Sequence, residues 1–419
     1  MGRKRQQSEQ QRDRISELPA HIVDMILGLL PIEQAARMTV LSTFWRDMWF
    51  SLTKLHFDFM FFVRIQRKYS HACSDMGTQT TQEEKKNSDV WVAAALYVIN
   101  KVLNQHNGLI HTFFIDFKDL RKTLRSRLFD LDQWFLFVTR KGVEEMDLTL
   151  MDEDRYRLPN CIFSCLTLKG LHINGVSVES INARCTLPNV ISLCFENVDF
   201  DSVDLPVPVD FPMLKNLSFI SCDNLSNLNI TAQKLENLTI NNCCIFQLSI
   251  NSDLRSVRTL DLDNYALKEF VKRCTGRGLQ PQPLALNVEY LRVSEHSFLR
   301  DDISSAFIHL LRMCPKLCQL DISLLLIDVL GKLSEEFHTV AQGLEMLHNL
   351  NVIEFGVAYK EDIVFIKGLL PFFPALEEVV IRRSNVCESD EDFENYKEEL
   401  LHSQCASAKA EIVMYNYNY

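Results

Sequence analysis

The thiols are the residues in this chain with the most latent chemistry. Thirteen cysteines are scattered along 419 residues. Cys161/Cys165 and Cys314/Cys318 form C-x-x-x-C pairs, and Cys243 and Cys244 are adjacent. A zinc site needs a second pair of Cys or His brought to the first by the fold, and no partner motif stands at ligand spacing. Cys165 and Cys314 each precede an apolar strand pattern, where a small buried residue is expected. A nucleophilic thiol needs a neighbourhood that lowers its pKa, and no such neighbourhood is advertised. The chain has no P-loop, no G-x-G-x-x-G and no H-E-x-x-H. Gly276-Arg277-Gly278 is too short to cradle a phosphate and reads as a loop before Pro281 and Pro283. The N-x-S/T sequons at Asn216, Asn224, Asn229 and Asn237 mostly fall inside strand patterns, where Asn, Ser and Thr fill exposed slots. No catalytic residue, metal ligand or cofactor is expected.

Composition narrows the partners. The net charge is −11, which argues against general affinity for nucleic acid or an anionic membrane. The polar start MGRKRQQSEQQRDR has no apolar signal core, and no apolar run is long enough to span a bilayer. Scattered, unpaired thiols then suit a reducing compartment, the nucleus, the cytoplasm or both.

Two periodicities organise the chain. The first lies between Asp13 and Trp49, where Leu18, Ile22, Ile26 and Leu30 recur at helical spacing and Val23 and Leu27 widen the stripe. Leu18-Pro19 and Leu30-Pro31 mark helix boundaries. A second apolar set, Ala35, Ala36, Val40, Leu41, Trp45 and Trp49, follows. Two or three short helices result, with more apolar surface than one small bundle hides, which marks a partner site.

The second periodicity is the unit L-x-x-L-x-L. It begins at Leu168, Val190, Leu214, Leu235, Val257, Val288, Leu317, Leu350 and Leu376, at intervals of 22, 24, 21, 22, 31, 29, 33 and 26 residues. Each unit encodes a short strand whose buried face needs a neighbouring coil, the signature of a leucine-rich-repeat solenoid. Shorter copies at Leu225–Ile230 and Ile245–Ile250 read as strands or turns on the second side of the coil. Cys222 and Cys243, eight residues after the start of their units, belong to the turn leaving the strand. Strands at Leu52–Phe57 and Thr112–Phe117 suggest that the solenoid begins directly after the first helices. Arg64–Asp89 shows no apolar period and is expected to be a flexible loop, followed by helices over Trp91–Leu103 and Leu128–Gly142 with Gly142 as C-cap.

The pieces Asp13-Arg14-Ile15-Ser16-x-Leu18-Pro19, Ile26-Leu27-x-x-Leu30-Pro31, Ala35-Ala36, Thr39-Val40-Leu41-Ser42 and Trp45-Arg46-x-x-Trp49 resemble the F-box. The F-box is the adaptor-binding module of substrate receptors in cullin-type ubiquitin ligases. The later pieces look like the plant subclass that carries leucine-rich repeats and a C-terminal FBD region. Thr43-Phe44 stands where that family usually has a basic pair. Asp362–Lys367, Phe373–Glu378 and Ala406–Ile412 resemble the FBD region, and the acidic Glu388–Glu399 between them reads as a solvated loop leading into a helix.

The expected fold is α/β: a short helical F-box followed by a curved parallel sheet with helices and turns on the convex side. The expected boundaries are a disordered basic tail at 1–12, the F-box at 13–50, the solenoid at 51–340 and an FBD-like region with the last repeats at 341–419. By resemblance the chain is the non-catalytic substrate-recognition subunit of a Skp-cullin-F-box ligase. The resemblance implies contact with a Skp-type adaptor, and through it a cullin, by Leu18, Pro19, Ile22, Ile26, Leu27, Leu30, Pro31, Leu41, Trp45 and Trp49. Leu18–Leu30 would face the adaptor, and Trp45–Trp49 would be shared with the first repeat. A protein substrate would meet the outward positions of the repeats, above all Asn237, Thr239, Tyr290, Arg292, Gln319 and Asp321, a polar row of mixed sign. The alternative is a repeat scaffold whose F-box-like helices only cap the solenoid.

Overall fold

Proline opens the first two helices. In the computed structural model, Pro19 precedes α1 (Ala20–Gly28) and Pro31 precedes α2 (Ile32–Arg37), each in an extended conformation. A 3-10 turn over Met38–Val40 leads to α3 (Thr43–Phe50), where the Ser42 hydroxyl accepts from the Trp45 N–H at 3.4 Å as N-cap. The structure describes residues 17–70, 81–117, 128–150, 155–178, 187–200, 208–225, 229–243, 249–251, 254–275, 285–294, 303–323, 349–357, 360–383, 390–402 and 405–415. The basic tail, Asp13–Ser16, Cys244, Gly276–Gly278, Pro281 and Pro283 therefore lie outside the described residues. The chain divides into two compact units, Met1–Leu171 and His172–Tyr419.

The first unit joins the three short helices to β1 (Lys54–Phe57), α4 (Phe59–Ser70), α5 (Thr81–Gln105), β2 (Thr112–Phe117), α6 (Leu128–Arg140) and β3 (Glu145–Leu150). β1 pairs with β2 and β2 with β3, all parallel, so helices must carry the chain back between strands. Alternation in β2 sends Phe113, Ile115 and Phe117 inward, where Phe113 meets Phe57 and Phe135, Phe117 meets Phe62, and Phe61 packs on Phe57 and Phe62. On the outer layer, the Trp134 indole N–H donates to Asn100 Oδ1 at 2.6 Å, and Asn100 Nδ2 donates to Asp130 at 3.1 Å, joining α5 to α6. Gly142 follows α6 with φ +79°, the left-handed cap its position requires.

The expected loop at Arg64–Asp89 is corrected here. Residues 64–70 complete α4 and residues 81–89 begin α5, while 71–80 lie outside the described residues. Asp58 caps α4 by accepting from the Phe61 N–H at 2.6 Å, and Phe61, Phe62 and Ile65 bury one face. Residues 81–89 contain neither Gly nor Pro and are rich in good helix formers, so the helix continues without an apolar stripe.

In the second unit the L-x-x-L-x-L pattern becomes strand after strand. Ser192–Glu196, Asn216–Ile220, Asn237–Asn241, Thr259–Asp263, Tyr290–Ser294, Gln319–Ser323, Val352–Val357, Glu378–Arg383 and Glu411–Tyr415 each pair in parallel with the next. The pairing puts equivalent positions of successive repeats opposite each other: Leu193, Leu217, Leu238, Leu260, Leu291, Leu320, Ile353 and Val379 form one buried column. The second side carries short parallel strands at Pro208–Asp210, Asn229–Thr231 and Ser249–Asn251. The later, longer repeats fill their extra length with helices Asn264–Thr275, Ile303–Met313, Lys360–Leu369 and Asp390–Leu401; the last corrects the loop expected over Glu388–Glu399, which is helical from Asp390 onward.

Turns out of the early strands repeat as well. Gly175, Asn197, Ser221 and Asn242 each follow a strand with positive φ. The N–H of Asn197 bonds Ile220 O at 2.9 Å and that of Ser221 bonds Asn241 O at 2.8 Å. Gly and Asn tolerate this conformation readily, which explains their recurrence. One residue beyond, Cys222 N–H donates to Cys243 Sγ at 3.3 Å and Cys222 Sγ donates to Phe195 O at 3.2 Å, so both thiols fill the turn.

Candidate functional site

The three-helix module sorts its apolar residues onto two sides. Leu27 (1% exposed) and Trp45 (3%) are interior with Trp49, Val23, Ile32 and Ala35. The expectation that Leu27, Trp45 and Trp49 face an adaptor is corrected: they are the core on which the module is built. Leu18, Ile22, Leu30 and Pro31 are half-buried, and Pro19, Ile26 and Leu41 are exposed. The structure adds three residues to the outer side: Met25, Leu29 (85% exposed) and Val40 (83%). Their signal was present in the sequence. Val23 and Leu27 suffice to seat α1, so a helix that reads AHIVDMILG has apolar residues left over.

The module is fastened to its unit by polar contacts at two places. Asp24 of α1 accepts from the Thr53 N–H at 2.9 Å and from its hydroxyl at 2.5 Å, just ahead of β1. Arg64 of α4 grips Glu33 of α2 through two bonds of 2.9 and 3.0 Å.

On the open face of the second unit, the strand register brings three expected residues together. Arg292 Nε pairs with Asp321 Oδ2 at 3.2 Å, and the Tyr290 hydroxyl donates to the same oxygen at 3.4 Å. Two residues absent from the expected set complete the group. Glu354 is the register partner of Asp321 on the next strand, and Arg382 forks onto Glu354, with Nη2 3.2 Å from Oε2 and Nε against Oε1. Burial first, then the Glu354 charge, pushes the Asp321 carboxyl up to about 6 against the pull of Arg292. Burial pushes the Tyr290 phenol up to about 12. Asn237 stands apart, donating through Nδ2 to Asn216 Oδ1 at 2.5 Å. Thr239 lies between Ser218 and Asp261 in register, and Gln319 is exposed beside Tyr290 without joining the bonded group.

Among the described residues the thiols are buried or half-buried; Cys222 and Cys243 face each other, which pushes the Cys222 thiol up and the Cys243 thiol down. Burial pushes the Cys161 thiol up, and Cys165 is interior against Val143 O at 3.7 Å. Among the described residues no group of His, Cys, Asp or Glu is placed to hold a metal ion, and no helix is long and apolar enough to cross a membrane.

Stacked units with one buried column and short strands on the second side define a leucine-rich-repeat protein. The family model described as "At1g61320/AtMIF1, LRR domain" matches residues 102–324. The chain belongs to that family, within the plant F-box/leucine-rich-repeat proteins. Its relatives in Arabidopsis thaliana include "F-box/FBD/LRR-repeat protein At1g13570", 35% identical over 38% of this chain and 32% of that protein. Another is "F-box/LRR-repeat protein At3g59200", 30% identical over 45% of this chain and 32% of that one. "F-box/LRR-repeat protein At3g03360" is 24% identical over 83% of this chain and 60% of that one. The chain thus spans between about a third and three fifths of the curated relatives it matches.

Proposed function

We propose that the chain is the substrate-recognition subunit of a Skp-cullin-F-box ubiquitin ligase. It docks a Skp-type adaptor, and through it a cullin, by the outer side of α1–α3, and it holds a protein substrate on the open face of the repeats. The observation that carries this reading is the exposed apolar set Met25, Ile26, Leu29, Val40 and Leu41 on a helical module that already has its own core. Burying one such side chain contributes about 1.5–3 kcal/mol, so several offset the order of 4–15 kcal/mol lost on association. The chain then acts by proximity, raising the local concentration of substrate at the transfer machinery, and supplies no acid, base or nucleophile. The C-terminal repeats, 341–419, are read as the FBD-like region, and the working compartment as nucleus, cytoplasm or both.

The test separates docking from folding. Leu29→Asp with Val40→Asp abolishes co-purification of a recombinant Skp-type adaptor while the circular dichroism spectrum and melting temperature stay at wild type. Undiminished adaptor capture by this variant refutes the assignment. The capping alternative has its own support in the Asp24–Thr53 and Glu33–Arg64 contacts, which hold the inner side of the module to β1 and α4. That role belongs to the buried side of the helices and leaves the outer side free to dock.

A further inference from the structure

The last strand of the second unit, Glu411–Tyr415, pairs with Glu378–Arg383 on one side and, among the described residues, with no strand on the other. The register sets Ile412 beside Val379 and Met414 beside Ile381, so both continue the apolar columns of the solenoid. Val379, Val380 and Ile381 are buried, whereas Ile412, Val413 and Met414 are half-buried and Tyr415 is exposed. The core ends there uncovered. The Glu411 N–H donates to Glu377 O at 2.9 Å, and backbone groups alternate sides along a strand. The N–H and C=O of Ile412 and of Met414 therefore point away from Glu378–Arg383, two donors and two acceptors at an open edge. Native sheets blunt such an edge with Lys, Pro, a bulge or a covering helix. Glu-Ile-Val-Met-Tyr contains neither Lys nor Pro. In the first unit, by contrast, edge strand β1 has α2 packed beside it and Asp24 of α1 fastened to Thr53 at its start.

An open edge takes a strand from another chain, and the residues here select a second copy. An antiparallel pair centred on Val413 sets Ile412 of each copy opposite Met414 of the other. The N–H and C=O of Ile412 then exchange with those of the opposing Met414, and symmetry repeats the exchange, so all four open groups of each copy are satisfied. On the inner side the same two residues close both cores together. Charge is complementary along the edge as well. Glu377, Glu378 and Glu411 gather where the last two strands begin, and Arg382 and Arg383 stand where Glu378–Arg383 ends. The two-fold brings the acidic end of each copy toward the basic end of the other, across two strand spacings or roughly 10 Å. Arg382 is already held by Glu354 and Arg383 lies over the Phe393 ring, so this attraction sets register more than affinity. Parallel stacking, the pattern within the sheet, places Glu411 directly beside another Glu411 and never closes.

We propose that Glu411–Tyr415 is a homodimerisation edge, to which a second copy of this chain adds its own Glu411–Tyr415 antiparallel about a two-fold axis at Val413. One short strand pair with its flanking side chains falls below the standard interface size, so the dimer is transient, with Kd on the order of 10–100 µM.

Sedimentation velocity on the full chain tests this over about 1–200 µM, the range that brackets such a Kd. The wild-type mass rises with concentration from 48.5 kDa toward twice that value. Val413→Lys sets like charges face to face across the axis and stays monomeric throughout, as does Val413→Asp. An equimolar mixture of the two variants dimerises again, because position 413 faces only its own copy. Melting curves check folding. If Val413→Lys melts early, Met414→Pro carries the comparison: it deletes an outward N–H that the ladder to Glu378–Arg383 does not use, and it too is monomeric. A wild type that remains monomeric, a dimer that survives Val413→Lys or Met414→Pro, or a Lys/Asp mixture that fails to associate overturns the proposal.

Discussion

Asp321 illustrates how one carboxyl can serve a surface and burden a fold. Facing it are Arg292 and Tyr290 from the preceding strand and Glu354 from the following one, with Arg382 beyond. Its folded pKa, about 6, lies above the ordinary 3.8, so the folded protein holds this proton more tightly than the unfolded chain. Its contribution to stability is therefore full below about pH 4, declines through pH 4–6 and is level above. Thermal melts of wild type and Asp321→Asn across that range are expected to show the wild type losing ground to the variant as pH rises to 6, with a constant difference beyond. At the other end of the chain, Trp45→Ala is expected to destabilise the first unit by about 3–5 kcal/mol in urea melts, the range for emptying a buried Trp. Leu29→Ala, on an exposed position, changes stability by no more than about 0.5 kcal/mol. Residue type alone does not separate these two. Trp45 and Leu29 are both large and apolar, and only the packing of α1 against α3 shows which side chain is core and which is left outside.

Elements were legible wherever a residue's neighbours in sequence decide its environment. Leu-Pro steps mark α1 and α2, and the L-x-x-L-x-L spacing marks each strand, because burial alternates along a few consecutive residues. The extent of α4 and α5 was not legible for the same reason. Residues 81–89 are helical by continuity with the buried Trp91–Leu103 segment, and carry no stripe of their own. The contacts between elements were equally hidden. Asp24 and Thr53, or Glu33 and Arg64, are some thirty residues apart and meet only after the helices pack. Asp24→Ala is expected to destabilise the first unit by about 1–3 kcal/mol, since it removes two hydrogen bonds to a charged acceptor. Asp24→Asn, which keeps an acceptor oxygen for the Thr53 N–H, costs less. Urea denaturation of the two variants orders them, and adaptor capture is unchanged in both if the outer side of the module does the docking.

Across the whole molecule, the solenoid is held together by neighbours. Each strand of the second unit pairs with the one before and the one after it, so damage spreads sideways along the stack. Leu260→Ala is expected to cost about 2–5 kcal/mol and to speed amide exchange in Asn237–Asn241 and Tyr290–Ser294 ahead of more distant strands. Equal acceleration in every strand would mean that the unit opens as one block. The architecture was readable from the sequence because its rule is local and repeated. The charged group on its face was not, because Arg292, Asp321 and Glu354 come from three different repeats and form a row only through the register, with Arg382 reaching Glu354 diagonally from a fourth.

That register has a further consequence. Since equivalent positions lie opposite each other with no offset, inserting or deleting a whole repeat preserves every remaining pairing and the side on which every residue points. Only separation changes, in steps of about 4.8 Å, the spacing of neighbouring strands. Placing one more coil between Thr259–Asp263 and Tyr290–Ser294 would carry Arg292 one step further from the Asn216–Asn237 pair and replace Asp261 as its register neighbour, while the pairings on either side of the insertion stay as they are. The open face is thus a graduated rule on which charges can be set at chosen marks. Chains with different numbers of repeats can therefore share one design at different spans.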